Sequence, residues 1–387
     1  MAPVRVLQFA DLVNRHDFID NIVRHADPDA FPMEICTLGR PSNIEDPGYA
    51  EAGIADHVVW APTRWHYPSA VIRLAALLHR RRVDVVHAHH YEPCVIAAAA
   101  TLLRPRTRLV VGRHYSDAIY LHTVGWRRRA MLGIERLVNR RAARVVVPST
   151  RIATLLVGDQ GLPPDKVALV PYGFDPAKYQ PVSTETVLAV RATLGMEDRF
   201  TIATFARLYV DKGHRFVIDA LPGALAAVPR LKYLVVGEGE ERPHLARQVA
   251  ELGLEGVVTF LGWRHDVPEL MAAVDVVVQP SLQEAFSQSM AEALFMGRPL
   301  VITDVSAAQE LVPDDRVGVV VPARDSAAIE RAIIELAGDG VRRAALADAA
   351  RSHALDSFTI ERAVPLYEAV YRRACDRTRK RVRDLRG

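Results

Sequence analysis

Short runs of β-branched and aliphatic residues alternate with amphipathic stretches along all 387 residues of the chain. The runs at 4–9, 83–87, 109–111 and 144–147 read as buried strands, and the segments near 70–82, 93–103 and 124–142 carry helical patterning. This rhythm predicts α/β structure, a parallel sheet with helices on both faces. It pauses at LVPYGFDPAKYQPVS, where prolines, Gly173 and Asp175 make a linker-like stretch. It then resumes with strands at 201–204, 233–236, 257–260, 274–278 and 300–302, and with helices near 214–227, 243–253, 287–296 and 325–338. The final 30 residues are helical in pattern and basic. Two α/β lobes of similar size are expected. Ligands of such sheets sit outside the carboxyl ends of the strands, so the chemistry belongs in the loops that follow strands and face the gap between lobes.

Composition adds little to this picture, because half the residues are apolar and a quarter charged, as in ordinary globular chains. The N-terminal MAPVRVLQFADLVNRH lacks the pattern of an export signal, and the longest apolar run, at 94–103, is too short to span a bilayer. Cys36, Cys94 and Cys375 are far apart, with neither zinc spacing nor an even set for disulfides, so a cytoplasmic protein with core cysteines is expected. Charge is more informative. The net +3 conceals a stretch from Trp60 to Arg151 with 17 Arg and four acids, a first segment of the opposite sign, and a basic tail from Arg372 onward. Such clusters attract phosphates or anionic lipid, although this chain uses Arg in preference to Lys almost everywhere. A nucleic-acid partner is not expected, since the tail RRACDRTRKRVRDLRG interleaves no aromatic residue with its charges.

Three loops carry candidate chemistry. ARLYVDKG, directly after a strand and before a helix, sets Arg207 and Lys212 around a turn closed by Gly213. A guanidinium fork, an ammonium and free helix amides together suit a diphosphate. In VVGEGEERPHL only Gly237 and Gly239 are present and position 242 is Arg, so the dinucleotide fingerprint is incomplete. The third stretch is QEAFSQSMAEALFMGRP, with Glu284 in the loop and Glu292 in the second turn of a helix otherwise lined by Ala291, Ala293, Leu294 and Phe295. A buried carboxylate there needs hydrogen-bond donors. Glu284 suits sugar hydroxyls beside a phosphate, and Glu292 suits a ribose. His87, His89 and His90 end one strand without a neighbouring Cys or carboxylate cluster, which argues for hydrogen-bonded histidines rather than a metal site.

On these residues the chain resembles glycosyltransferase family 4, retaining enzymes of the GT-B fold, over about residues 80–372. The family's Glu-x7-Glu motif is similar to Glu284 through Glu292, followed by Gly297, Arg298 and Pro299, and its diphosphate-holding cations match Arg207 and Lys212. Phe260-Leu261-Gly262, Pro171-Tyr172-Gly173-Phe174-Asp175, DVVHAHH and VGRHYSD fall in the family's order. The resemblance implies two Rossmann-like lobes around a central cleft. The acceptor-side lobe would be 1–178, joined by a C-terminal helix of about 366–387 that crosses back to it, and the donor-binding lobe 179–365. It implies a hexose moved from a nucleotide-diphosphate sugar to an acceptor hydroxyl with retention, no cofactor and no metal. In that scheme His114, Arg207, Lys212 and Glu284 are catalytic. Glu292, Gly237, Trp263, Arg264, Phe286, Ser287 and Gln288 bind the nucleotide sugar. Two departures stand out. The usual Glu-Gly-Phe-Gly is Glu284-Ala285-Phe286-Ser287, and the first βα loop, Ala10 to His16, lacks the usual glycine pair. Asn14, Arg15 or His16 is therefore expected to supply polar contacts on the acceptor side, together with His90. The alternatives are a nucleotide-sugar 2-epimerase, which converts donor with no acceptor present, and an inactive binding protein, against which the complete Arg/Lys and paired-Glu sets argue. Trp60, Arg64, Trp65, His66, Tyr67, Arg73 and Arg80–Arg82 suggest peripheral contact with an anionic membrane.

Overall fold

In a computed structural model the chain is described over residues 2–11, 17–39, 49, 51–114, 125–305 and 307–383. Among these residues seven strands form one sheet: β1 (Val6–Asp11), β2 (Met33–Gly39), β3 (Asp56–Trp60), β4 (Val85–His89), β5 (Arg108–Gly112), β6 (Arg144–Val147) and β7 (Val167–Leu169). They lie in the order β3-β2-β1-β4-β5-β6-β7, and all neighbours pair in parallel. The chain thus starts mid-sheet, winds outward to one edge, then returns beside β1 and winds to the other. That reversal opens a crevice at the carboxyl ends of β1 and β4. A second parallel sheet repeats the plan with six strands, β8 (Phe200–Phe205), β9 (Leu231–Val236), β10 (Val258–Gly262), β11 (Val276–Gln279), β12 (Leu300–Thr303) and β13 (Val319–Val321), in the order β10-β9-β8-β11-β12-β13. Its reversal lies between β8 and β11.

Central strands such as β6, β11 and β12 are buried at almost every position, which is why they appear in the sequence as short apolar runs. The strands that sequence patterning passes over are β2, β3, β7 and β13. Three of them are edge strands, and β3 shows solvent-facing positions along DHVVW. The polypeptide divides into two units, one of residues 1–174 with 360–387 and one of residues 175–359. The dividing point falls inside the proline-rich stretch. The second unit has its own core, in which Leu208, Val217, Tyr233, Val276 and Ile329 are fully enclosed. The last helix, Ile360–Arg383, packs within the first unit against the helix Asp17–His25 and against β4 and β5. Cys36 and Cys94 are free and buried. No helix among the described residues is long and apolar enough to cross a membrane.

Candidate functional site

The loop after β8 carries Arg207 and Lys212. Val210–Lys212 forms one tight turn, closed by Gly213 at a left-handed φ of 69°. No side chain fits there, since a Cβ would lie 2.0 Å from the Pro280 carbonyl oxygen. The missing side chain lets this loop lie directly against the loop after β11, and the Leu282 N–H donates to the Asp211 carbonyl across the seam at 2.7 Å. The Lys212 ammonium therefore meets the Glu284 carboxylate at 2.6 Å, although 72 residues separate them. Both side chains are only 13% exposed. Ser281 donates its hydroxyl to the same Glu284 oxygen at 3.1 Å, and Asp211 lies 3.6 Å from Lys212 Nζ. Burial opposes the ammonium charge, but Glu284 and Asp211 outweigh it, and the Lys212 pKa is raised above its usual value. Lys212 is a cation throughout the neutral range.

Arg207 is exposed on the same loop, its guanidinium 4.9 Å from the centre of the Tyr209 ring. The helix His214–Ala227 starts beside it with no side-chain cap on its first amides. Two cations and a helix N-terminus thus share one loop, an arrangement suited to an anion of more than one charge. Beneath the loop, His214 is buried, and its Nε2 lies 3.3 Å from the Arg207 carbonyl. Burial pushes its pKa down to about 4, so it supports the loop as a neutral ring.

Glu292 occupies the second turn of the helix Gln288–Phe295. It accepts a hydrogen bond from the Tyr179 hydroxyl at 3.3 Å. Tyr179 is held in turn, its ring stacked 5.3 Å from Phe295 and its carbonyl accepting from Arg351 at 3.1 Å. The sequence offered no sign of Tyr179 as the donor for this carboxylate. Ala285, Phe286 and Ser287 are buried, and none has positive φ. Phe286 packs edge-on against Phe358 with ring centres 5.5 Å apart. Gly237 follows β9 and donates its N–H to the Gly262 carbonyl at 2.8 Å. Trp263, 69% exposed, and Arg264 follow β10, where Arg264 Nε donates to Asp266 at 2.7 Å. Lys212 and Glu284 are brought into contact, whereas Glu292 and Arg264 each engage a different partner.

In the first unit the candidates gather around the reversal between β1 and β4. His90 follows β4 at φ 66° and ψ 171°, a region that is nearly glycine-only and costs a residue about 1–3 kcal/mol. Its Nδ1 lies 2.9 Å from a carboxylate oxygen of Asp11, the last residue of β1. His114 follows β5, and both of its ring nitrogens are engaged at 2.8 Å, Nδ1 with the Tyr172 hydroxyl and Nε2 with His89. Arg113 beside it is buried in an ion pair with Glu135 at 3.2 Å, which ties this turn to the helix Gly125–Arg141. Asn14, Arg15 and His16 lie outside the described residues. No group of three His, Cys, Asp or Glu residues among the described ones is arranged to hold a metal ion.

Two family models match the chain, "Glycosyl transferase 4-like domain" over residues 18–173 and "Glycosyl transferases group 1" over residues 199–339. Among curated proteins, the chain is 28% identical over 249 residues to the 2-deoxystreptamine glucosyltransferase of Streptomyces kanamyceticus, covering 64% of each. It is 33% identical over 236 residues to the D-inositol 3-phosphate glycosyltransferase of Stackebrandtia nassauensis, covering 58% of this chain and 52% of that one. The matched stretch thus spans between 52% and 64% of these relatives' own lengths. Among solved structures, Alr3699/HepE of Anabaena in complex with UDP-glucose superposes with a TM-score of 0.80 at 24% identity, covering 95% of this chain and 99% of that one. A glycosyltransferase of Rickettsia africae superposes with a TM-score of 0.78 at 16% identity, covering 97% and 99%. With two parallel Rossmann-like sheets and a family match in each unit, the chain belongs to the GT-B glycosyltransferases of the family 4 type.

Proposed function

We propose that this protein transfers a hexose-type sugar from a nucleotide-diphosphate sugar to an acceptor hydroxyl, with retention at the anomeric carbon and without a metal ion. The observation that carries the reading is the Lys212–Glu284 contact at 2.6 Å, set beside Arg207 and a helix N-terminus. As the sugar departs, charge grows on the leaving diphosphate, and pre-positioned cations act most strongly there. In this reading Arg207 and Lys212 hold the diphosphate, and Glu284 orients sugar hydroxyls. Glu292, steadied by Tyr179, accepts from the ribose. Gly237, Trp263 and Arg264 border the nucleotide, and the backbone of Phe286, Ser287 and Gln288 faces the donor. Retention and metal independence rest on the resemblance of the Glu284 to Glu292 stretch. On the acceptor side, His114 faces the reacting sugar, and His90 with Asn14, Arg15 or His16 meets the acceptor. One similar protein is named a glucosyltransferase, and one similar fold was solved with UDP-glucose, which supports a nucleotide-sugar donor.

Melting temperature should rise with one of UDP, GDP, ADP or TDP, because a ligand that binds only the folded state stabilises it according to its affinity. In Lys212→Ala that rise should vanish and sugar transfer should slow at least about tenfold, or ~1.4 kcal/mol in the barrier. No rise with any of the four nucleotides overturns the reading.

We also assign this cytoplasmic enzyme of glycan biosynthesis a peripheral contact with anionic membrane, through the Arg-rich surface where Trp65 is 91% exposed. Sedimentation with anionic vesicles should carry the protein down at low salt and release it as salt rises. Protein left in the supernatant at low salt ends that assignment.

A further inference from the structure

A chain of hydrogen bonds in the first unit leads from half-buried His114 to the last helix through an enclosed core. The Tyr172 hydroxyl and His114 Nδ1 are 2.8 Å apart, and His114 Nε2 and His89 Nδ1 are 2.8 Å apart. His89 Nε2 lies 2.8 Å from Gln8 Oε1. Gln8 Nε2 donates to the Tyr371 hydroxyl at 3.0 Å, and that hydroxyl lies 2.9 Å from His87 Nδ1. Gln8, His87, His89 and Tyr371 are wholly enclosed. Room for three imidazoles side by side comes from Gly112, where a Cβ would lie 2.5 Å from His114 Nε2, 2.6 Å from His89 Nδ1 and 3.1 Å from His87 Nε2. Phe18 covers the outer end, stacked on the Tyr172 ring at 4.7 Å and 4.4 Å from the His114 ring.

Hydroxyls and neutral imidazoles can run such a chain in either direction, but a glutamine amide cannot act as both ends at once. Met33 Sδ lies 3.7 Å from Gln8 Nε2, and a thioether only accepts, so the amide nitrogen faces Met33 and Tyr371. The carbonyl oxygen then faces His89 and requires its proton on Nε2. His89 Nδ1 must accept, so His114 donates from Nε2, and His114 Nδ1 accepts from Tyr172. One amide fixes the tautomer of an imidazole two hydrogen bonds away.

We propose that Gln8 is a positioning residue for sugar transfer, one that acts through His89 to hold His114 in a fixed orientation with its proton on Nε2. This rests on the reading in which His114 faces the reacting sugar. Imidazole 15N–1H correlation spectra, with His114 assigned from a His114→Gln variant, test the chain directly. In the wild-type protein His114 should show a protonated Nε2 and an unprotonated Nδ1. In Gln8→Leu both nitrogens should shift toward a mixture of tautomers, and kcat should fall about tenfold or more with the donor KM nearly unchanged. Gln8→Glu places a carboxylate against His89, and the resulting imidazolium should donate to His114 and move its proton to Nδ1. A wild-type His114 protonated on Nδ1, or nitrogens unmoved in both variants, overturns the proposal. The spectra need no turnover, so a protein that transfers no sugar but shows the expected tautomer refutes the catalytic reading and leaves the chain standing.

Discussion

His87 and His214 are each sealed in one unit of the chain, and burial moves both away from the ordinary histidine pKa. For His87 burial lowers it to about 3, and for His214 burial lowers it to about 4. An unfolded chain protonates both near pH 6.5, so below that pH the unfolded state takes up protons the folded state refuses. Stability is then full above about pH 6.5 and falls as the solution is acidified. Each group contributes a slope of about 1.4 kcal/mol per pH unit within its window. Two such groups act against total stabilities of roughly 5–15 kcal/mol, which makes the fold acid-sensitive. Urea unfolding between pH 7 and pH 4.5 should show the first unit losing stability with this slope, and His87→Phe should flatten it. A slope unchanged in that variant would mean that His87 takes a proton inside the folded core. Lys212 behaves oppositely. Its raised pKa means that the ammonium side of its pair with Glu284 contributes at neutral pH and is lost as the pH rises into the strongly alkaline range.

Elements differed in how plainly the sequence announced them. β6 is RVVV, buried from its second residue onward, and its ends match the apolar run. β3 lies at a sheet edge with alternate positions in solvent, and β13 is an edge strand of three valines whose middle residue faces solvent. Loop functions followed the same division. Lys212 and Glu284 were suggested separately by the chemistry of two loops, but their contact depends on Gly213 allowing those loops to touch, a feature of the assembled sheet. Tyr179 and Gln8 could not be read at all, because each serves a residue more than 75 positions away. Tyr172 was visible only as part of the Pro171 to Asp175 stretch, and its bond to His114 again depends on packing. What a single strand or loop dictates is legible. What two elements make together needs the topology that joins β1 to β4 and β8 to β11.

At the scale of the molecule, the most consequential long-range feature is the return of the last helix to the first unit. Ile360, Ala363, Val364, Tyr367, Val370, Tyr371 and Ala374 are all buried, at the three- and four-residue spacing of one helical face. Gly173 exists to admit this helix, since a Cβ there would lie 2.6 Å from Ala363 Cβ. The Tyr371 hydroxyl accepts from Gln8, and Glu368 accepts from the Asp27 amide at 3.2 Å. Burying five large side chains of this set is worth up to about 10 kcal/mol, comparable to the whole stability of a domain. A chain ended after Thr359 should therefore lose the first unit and keep the second, whose core draws on no residue beyond 359. Hydrogen exchange read by mass spectrometry distinguishes the outcomes. Amides of β8, β9 and β11 should stay protected in the shortened chain, while those of β1, β4 and β5 exchange within seconds. Protection retained in β1 and β4 would mean that the first sheet holds its helices without the seal, and that the buried face of the last helix contributes far less than its area implies.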